Sequence, residues 1–416
     1  MRSTRIIQEK GRTFVTLGKH RPLLIPNNNA CRPFSSQTLT ANIANDIPSK
    51  ISTTISPTTI RRSCYSTSPQ LLKSTSQQQQ SDIDHCIELV QSRDREGYMI
   101  GLLQPSAQRH DYFILRAFNA ELASIKGSSL SKSKDGDVSL GTQMRMQWWR
   151  DAIGNLYEGK EEDNYDNNNS TMSGGSGSSS SSRSPLLESA KHNPIIRALS
   201  TLIDTHVLTQ RFLERLVDAR MEDLHVSQFN TIQELSTYSE RTISSLYYLQ
   251  LEATGVREES SDIVASHIGI GVGLTNALRS LLPRAGIHGE IALPRDVVIQ
   301  HLVNIQLLKH PPPELQDLDS PTNAAAREGI RNAVKEVAQV AQGHFRQARQ
   351  GQIQVPKQAR GVLLPAVPAM DYLNLLEKVE YDIFHPDLNS EDSFQGNWAK
   401  LRGIFLLGRA AMTGIF

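Results

Sequence analysis

The sequence predicts an all-α fold, and three observations carry that prediction. Apolar residues recur at helical spacing beyond Asp82; Ile114, Phe118, Leu122 and Ile125, for example, are four, four and three apart and share one helix face. No run alternates apolar and polar residues with period two. Prolines fall between the periodic windows, at Pro105, Pro194, Pro283, Pro294, Pro311 to Pro313 and Pro356. A residue without an N–H can open or close a helix there but cannot continue one.

In chain order, the first segment is a leader over residues 1–80. Residues 1–76 hold 11 Lys/Arg against two acids, Glu9 and Asp46, which leaves 33 basic and 41 acidic residues beyond, a net charge of −8. An Arg-rich, Ser-rich, acid-poor start is the composition of a mitochondrial transit peptide. Arg32-Pro33-Phe34 and Arg61-Arg62-Ser63-Cys64-Tyr65 are candidate processing sites, and glutamines 77–80 are expected to be a spacer. The acidic body lacks the concentrated positive face that nucleic-acid binding requires. Three cysteines exclude a disulfide framework or a zinc ribbon. No window reaches the roughly 18 apolar residues of a membrane-spanning helix.

The body, residues 81–416, is expected to be one helical domain. Helical windows lie near 84–96, 114–125, 141–158, 194–206, 213–224, 231–252, 261–282, 324–350 and 371–382. Between the third and fourth lies a low-complexity insertion, 159–190, dominated by Asn, Gly and Ser. It holds too little apolar surface to offset its ordering entropy and is expected to be a disordered surface loop.

Specific segments carry a family resemblance over about residues 84–416. They are Arg93-Asp94-Arg95-Glu96, Leu115 to Leu122, Arg145-Met146-Gln147-Trp148-Trp149-Arg150-Asp151, His192-Asn193-Pro194, Tyr238 with Glu240, Ala265 to Gly269, Leu274 to Arg279, and Leu293-Pro294. In order and spacing they resemble the squalene/phytoene synthase superfamily. The Arg-Ala-Phe-Asn-x-Glu-Leu run, the Arg-Met-Gln-x-Trp box and Asp382-Ile383-Phe384-His385-Pro386 are similar to its mitochondrial branch. The resemblance implies an isoprenoid-synthase-like helical bundle around a central cavity. In active members, two Asp-rich boxes on facing helices hold Mg²⁺, a hard ion that takes oxygen ligands and bridges phosphates, so that it neutralises a departing diphosphate.

Both boxes are altered here. Aligned on Ala117-Phe118, the first places Ala123, Ser124 and Gly127 where aspartates are expected. Glu121, two residues from Ala123, points about 200° away. The second box retains Asn276 and Arg279, but its later acidic positions fall on Ser280 and Arg284. Positions 276, 280 and 284 share one helix face, so the losses fall on the side expected to look inward. The expected vestigial pocket is thus Asn119, Ala123, Gly127, Arg145, Asp223, Asn276, Arg279, Ser280 and Arg284, with no metal and no cofactor.

Other tempting residues have plainer readings. Asp218, Glu222 and Asp223 read as a solvated or salt-bridged face more than a metal site. Of Trp148 and Trp149, about 100° apart, one is expected to pack inward and the other to lie at the surface. Gly269, Gly271 and Gly273 lack the strand of a nucleotide loop and read as small residues that let helices approach. His110 and His267 read as structural and Cys86 as an apolar core residue. The last segment interleaves Leu401, Ile404, Phe405, Leu406, Leu407, Met412, Ile415 and Phe416 with Lys400, Arg402 and Arg409. It could lie on an anionic bilayer or cap the bundle.

The lost carboxylates point to a non-catalytic protein and the leader to the mitochondrial matrix side, and the resemblance implies a docking scaffold peripheral to the inner membrane whose partners are subunits or assembly intermediates of respiratory complex I. Two alternatives stand beside it. One is a prenyltransferase that stabilises diphosphate with Arg145, Arg279 and Arg284. The other is a binding module that holds an isoprenoid or quinone tail.

Overall fold

The structure is a computed structural model that describes residues 69–127, 138–165, 190–311, 321–389 and 394–416. Residues 1–68 of the predicted leader and most of the insertion lie outside these residues, while the last part of the leader, 69–80, belongs to α1. Among the described residues the architecture is helical, without a strand. The helices are α1 (Pro69–Arg93), α2 (Arg95–Leu102), α3 (Ser106–Gly127), α4 (Leu140–Tyr165), α5 (Pro194–Thr205), α6 (Gln210–Asp223) and α7 (Ile232–Ser239). A π turn, Glu240–Ser244, joins α7 to α8 (Ser245–Ala253). Then come α9 (Glu259–Arg279), α10 (Leu281–His288), α11 (Arg295–Gln300), α12 (Ile305–Lys309) and α13 (Pro321–Gly351). Two 3₁₀ turns, Gln352–Gln354 and Lys357–Leu363, lead to α14 (Ala366–Lys378), α15 (Pro386–Asn389) and α16 (Phe394–Thr413).

Local chemistry sets these boundaries. Asp94 opens α2 by accepting from Gly97 N at 2.9 Å. Asn193 caps α5, accepting from the Ile195 and Ile196 amides at 2.9 and 3.2 Å, with Pro194 in the first position, where its missing N–H costs nothing. Thr231 caps α7 through the Glu234 amide, 3.1 Å, while Glu234 reaches back to the Asn230 amide, 2.8 Å. Gly289, at φ 67°, closes α10 in the left-handed conformation that glycine adopts without strain.

Helix α9 is the axis of the packing, against α13 on one side and α7, the π turn and α8 on another. Its glycines explain how closely. A Cβ on Gly269 would stand 2.6 Å from Ser244 N, and one on Gly273 would stand 2.2 Å from Ser239 Oγ. The close-approach reading of these glycines therefore holds. The α3 face predicted from spacing is buried, with Phe113, Leu115, Phe118, Leu122 and Ile125 in the core. Trp149 is buried and meets Phe118 edge-on, ring centroids 5.4 Å apart, while Trp148 packs half-buried against it. Cys86 is fully buried, and burial pushes its thiol up to about 12.

Two boundaries differ from expectation. Glutamines 77–80, expected as spacer, belong to α1, where Gln78 and Gln80 donate to Asp82 and Asp84 one turn on; such i,i+4 bonds make a polar stretch helical. Helix α4 continues to Tyr165, seven residues into the predicted insertion, through Glu and Lys residues of good helix propensity.

Candidate functional site

The C-terminal end of α3, the end of α6 with the loop after it, α7, and the α9–α10 junction surround a cavity of about 330 Å³. Its floor is polar. Lys126, in the last turn of α3, crosses to α6 and places its ammonium 3.0 Å from Asp223 Oδ2. It also donates to the carbonyls of Asp223, 2.8 Å, and Val226, 3.1 Å. An ammonium has three N–H donors; two of the acceptors here belong to Asp223, the last residue of α6 at the negative end of its dipole, and the third is the Val226 carbonyl in the loop after it. The site is therefore a built-in cation-binding site, filled by a side chain. Tyr238, on α7, also bonds the Asp223 carboxyl; desolvation and that carboxylate push its phenol up to about 12, so it stays protonated at neutral pH. Across the cavity Arg284 stands 3.5 Å from Glu290.

The nine predicted pocket residues separate clearly. Asp223, Asn276, Ser280 and Arg284 all line the cavity, although Ser280 interrupts the helix between α9 and α10. The other five do not, which corrects the expected pocket. Helix α3 reaches the cavity only at its last turn, through the long stem of Lys126, so Ala123 and Gly127 are exposed outside it. Asn119 instead accepts from Arg220 Nη2 at 2.6 Å. Burial lowers the pKa of this guanidinium, which also donates to the Leu216 carbonyl at 2.9 Å. Arg145 is on the outer side of α4, 3.2 Å from Glu121. Arg279 turns towards α2 and α14, paired with Glu96 at 2.9 Å, donating to the Pro368 carbonyl at 2.6 Å, and lying over the Tyr372 ring.

These residues do not fit a Mg²⁺–diphosphate centre, which needs several free oxygen ligands on one ion. The two carboxylates lining the cavity, Asp223 and Glu290, each face a cationic side chain. Among the described residues no group of three His, Cys, Asp or Glu could hold a metal ion. A second cavity, about 480 Å³, adjoins the first across Asp223, Phe229 and Tyr238. The acidic patch beside it is salt-bridged as expected: Arg241 donates to Glu222 at 2.8 Å and holds that carboxyl below its usual range, and Arg150 stands 3.3 Å from Asp218. The reading of the histidines missed a pair. His267 on α9 and His344 on α13 meet Nδ1 to Nδ1 at 3.0 Å, a contact across 77 positions that no local spacing signals.

Comparison with known proteins agrees with this architecture. Residues 90–394 match the squalene/phytoene synthase family. The chain is 32% identical over 309 residues, 74% of its length and 78% of the relative's, to NADH dehydrogenase (ubiquinone) complex I, assembly factor 6, of Rattus norvegicus. Among solved structures, a dehydrosqualene synthase superposes with a TM-score of 0.57 at 15% identity, covering 81% of this chain and 99% of that one. A squalene synthase from Alicyclobacillus acidocaldarius gives 0.54 at 16% identity, covering 73% and 96%. At such identities the superpositions speak for the fold alone, but the sequence match covers most of the body, and the chain belongs to the squalene/phytoene synthase family.

Proposed function

We propose that this chain is a mitochondrial assembly factor for respiratory complex I that does no chemistry itself. In this reading the leader over 1–80 directs import, and the helical body works on the matrix side, peripheral to the inner membrane, as a stoichiometric docking scaffold for a complex I subunit or assembly intermediate. The 32% identity to a complex I assembly factor supports the role. The observation that carries the non-catalytic part is Lys126. Its ammonium is saturated by Asp223 and the loop after α6, and Glu290 faces Arg284, so both carboxylates lining the cavity are already engaged by cations of this chain. Deleting the gene and resolving respiratory complexes on native gels tests the role. A deficit of mature complex I, restored by the wild-type chain, is expected; normal levels of complex I refute it.

The two adjoining cavities favour one further reading, a pocket that holds an isoprenoid or quinone tail without reacting it. Mass spectrometry of lipid extracted from the purified protein decides that point. Product formed from farnesyl diphosphate would instead restore a prenyltransferase.

A further inference from the structure

Helix α16 is held by one face. Leu407 and Ala410 are buried where it packs on α14, and Phe416, just beyond it, is buried as well. Phe405 and Met412 lie seven residues apart, almost in line on the opposite side, and are 71% and 84% exposed. Arg402 and Arg409, also seven apart, run parallel to them roughly 60° further round.

The apolar stripe continues off the helix. Met412 borders a groove of about 280 Å³ with Leu103, Lys357 and Arg360, and no acidic residue lines that groove. The Phe416 amide donates to Gln352 Oε1 at 3.4 Å, which brings exposed Ile415 beside the turn carrying exposed Ile353. The charge of this region runs against that of the body. Residues 337–370 and 393–416 contain seven Lys/Arg and no Asp/Glu, although the chain beyond residue 76 has a net charge of −8. Arg349 is engaged with the Phe416 carbonyl and Arg402 with Asp371. Lys357 and Arg409 are exposed and form no ion pair among the described residues.

We propose that this face is a membrane-surface site: α16 lies on an anionic phospholipid bilayer, with Phe405, Met412 and Ile415 in the headgroup–acyl boundary and Lys357, Arg360 and Arg409 against lipid phosphates. Exposed apolar side chains flanked by cations that no acid neutralises are the signature of an interfacial helix. Anionic lipid adds about 1 kcal/mol, roughly fivefold in affinity, for each Lys or Arg brought near the surface. A second copy of the chain would set the same cations against each other. Insertion across the bilayer is not an option for this helix, since among the described residues none is long and apolar enough to span one. The inference deepens the proposed position beside the inner membrane, and its test uses lipid alone.

That test places an environment-sensitive fluorophore on Met412→Cys in the full chain, with Cys31→Ser and Cys64→Ser. The remaining Cys86 is buried and its thiol is held protonated. A local probe is needed because the basic leader would itself bind anionic vesicles. With phosphatidylcholine vesicles containing about one-fifth phosphatidylglycerol, the probe should shift to the blue and be quenched by lipid-borne nitroxides; pure phosphatidylcholine should give little change. Adding Lys357→Gln and Arg409→Gln should weaken that response about 30-fold, with an unchanged circular dichroism spectrum. A probe that stays in water with both vesicles overturns the proposal and leaves the complex I role standing. So does a response indifferent to the two charge substitutions, or a blue shift that rises with protein concentration without lipid, which would make the face a self-association surface.

Discussion

Replacing Lys126 with methionine keeps the stem that crosses from α3 to α6 and removes only the ammonium. The Asp223 carboxyl, whose side chain is 9% exposed, would then keep its bond to Tyr238, the Asp223 carbonyl would keep the Val226 amide, and the Val226 carbonyl would lose the ammonium. Stranding one member of a buried pair costs about 3–5 kcal/mol. The neighbouring cavity, which Val226 lines, lets water reach its freed carbonyl and so recovers part of that cost. We therefore expect a loss of about 2–3 kcal/mol in urea unfolding followed by circular dichroism. The double-mutant cycle with Asp223→Asn isolates the pair: in that background Lys126→Met should cost at least about 1 kcal/mol less, because no uncompensated carboxylate remains. A single-mutant loss under about 1 kcal/mol, or strict additivity in the cycle, would refute the view of Lys126 as the cavity's resident cation.

Two further expectations follow from the packing of α9. Gly269→Ala forces a Cβ to within 2.6 Å of the Ser244 amide nitrogen and should cost about 1–3 kcal/mol, whereas Gly154→Ala in α4, with nothing within 4 Å, should gain about 0.5–1 kcal/mol; thermal melts of both variants check the pair. Burial holds both His267 and His344 below the usual histidine pKa, against an opposing pull from Glu240. The unfolded chain therefore binds protons that the folded one resists, and stability should fall as pH drops below about 6.5; the fall in urea midpoint between about pH 7 and pH 5 should be shallower in His267→Asn/His344→Asn, and an unchanged slope would count against it.

Much of the fold was legible because it is local. The buried face of α3, the proline borders and the glycine stripe of α9 each follow from spacing within one element. The site was legible only where it lies on one element as well: Asn276, Ser280 and Arg284 line the cavity together because they follow a common face through the α9–α10 junction. What escaped depends on contacts between distant segments. Lys126 near the end of a helix looks like an ordinary solvated cation favoured by the dipole, and only the approach of Asp223, 97 positions away, gives it a site. Arg279 sits in a family box, yet Glu96, 183 positions away, draws it out of the cavity. The length of α4 escaped because Asn, Gly and Ser dominate the window as a whole, while Lys160, Glu161 and Glu162 near its start still favour a helix.

The π turn between α7 and α8 takes up one extra residue in what is otherwise an unbroken rod, and its wider turn lets the helix on either side keep its phase. Upstream, Leu235 and Ser239 set which side of the rod meets the interior; downstream, Leu246, Tyr247 and Leu249 set it again. Removing a single residue from 240–244 would let the rod run on as plain α-helix with Tyr247 still in the core, whereas adding one more, with no second wide turn to absorb it, would turn everything downstream by about 100°. A one-residue insertion there should damage this chain more than the loss of many residues from the Asn/Gly/Ser tract after α4, because there the rod itself keeps the count.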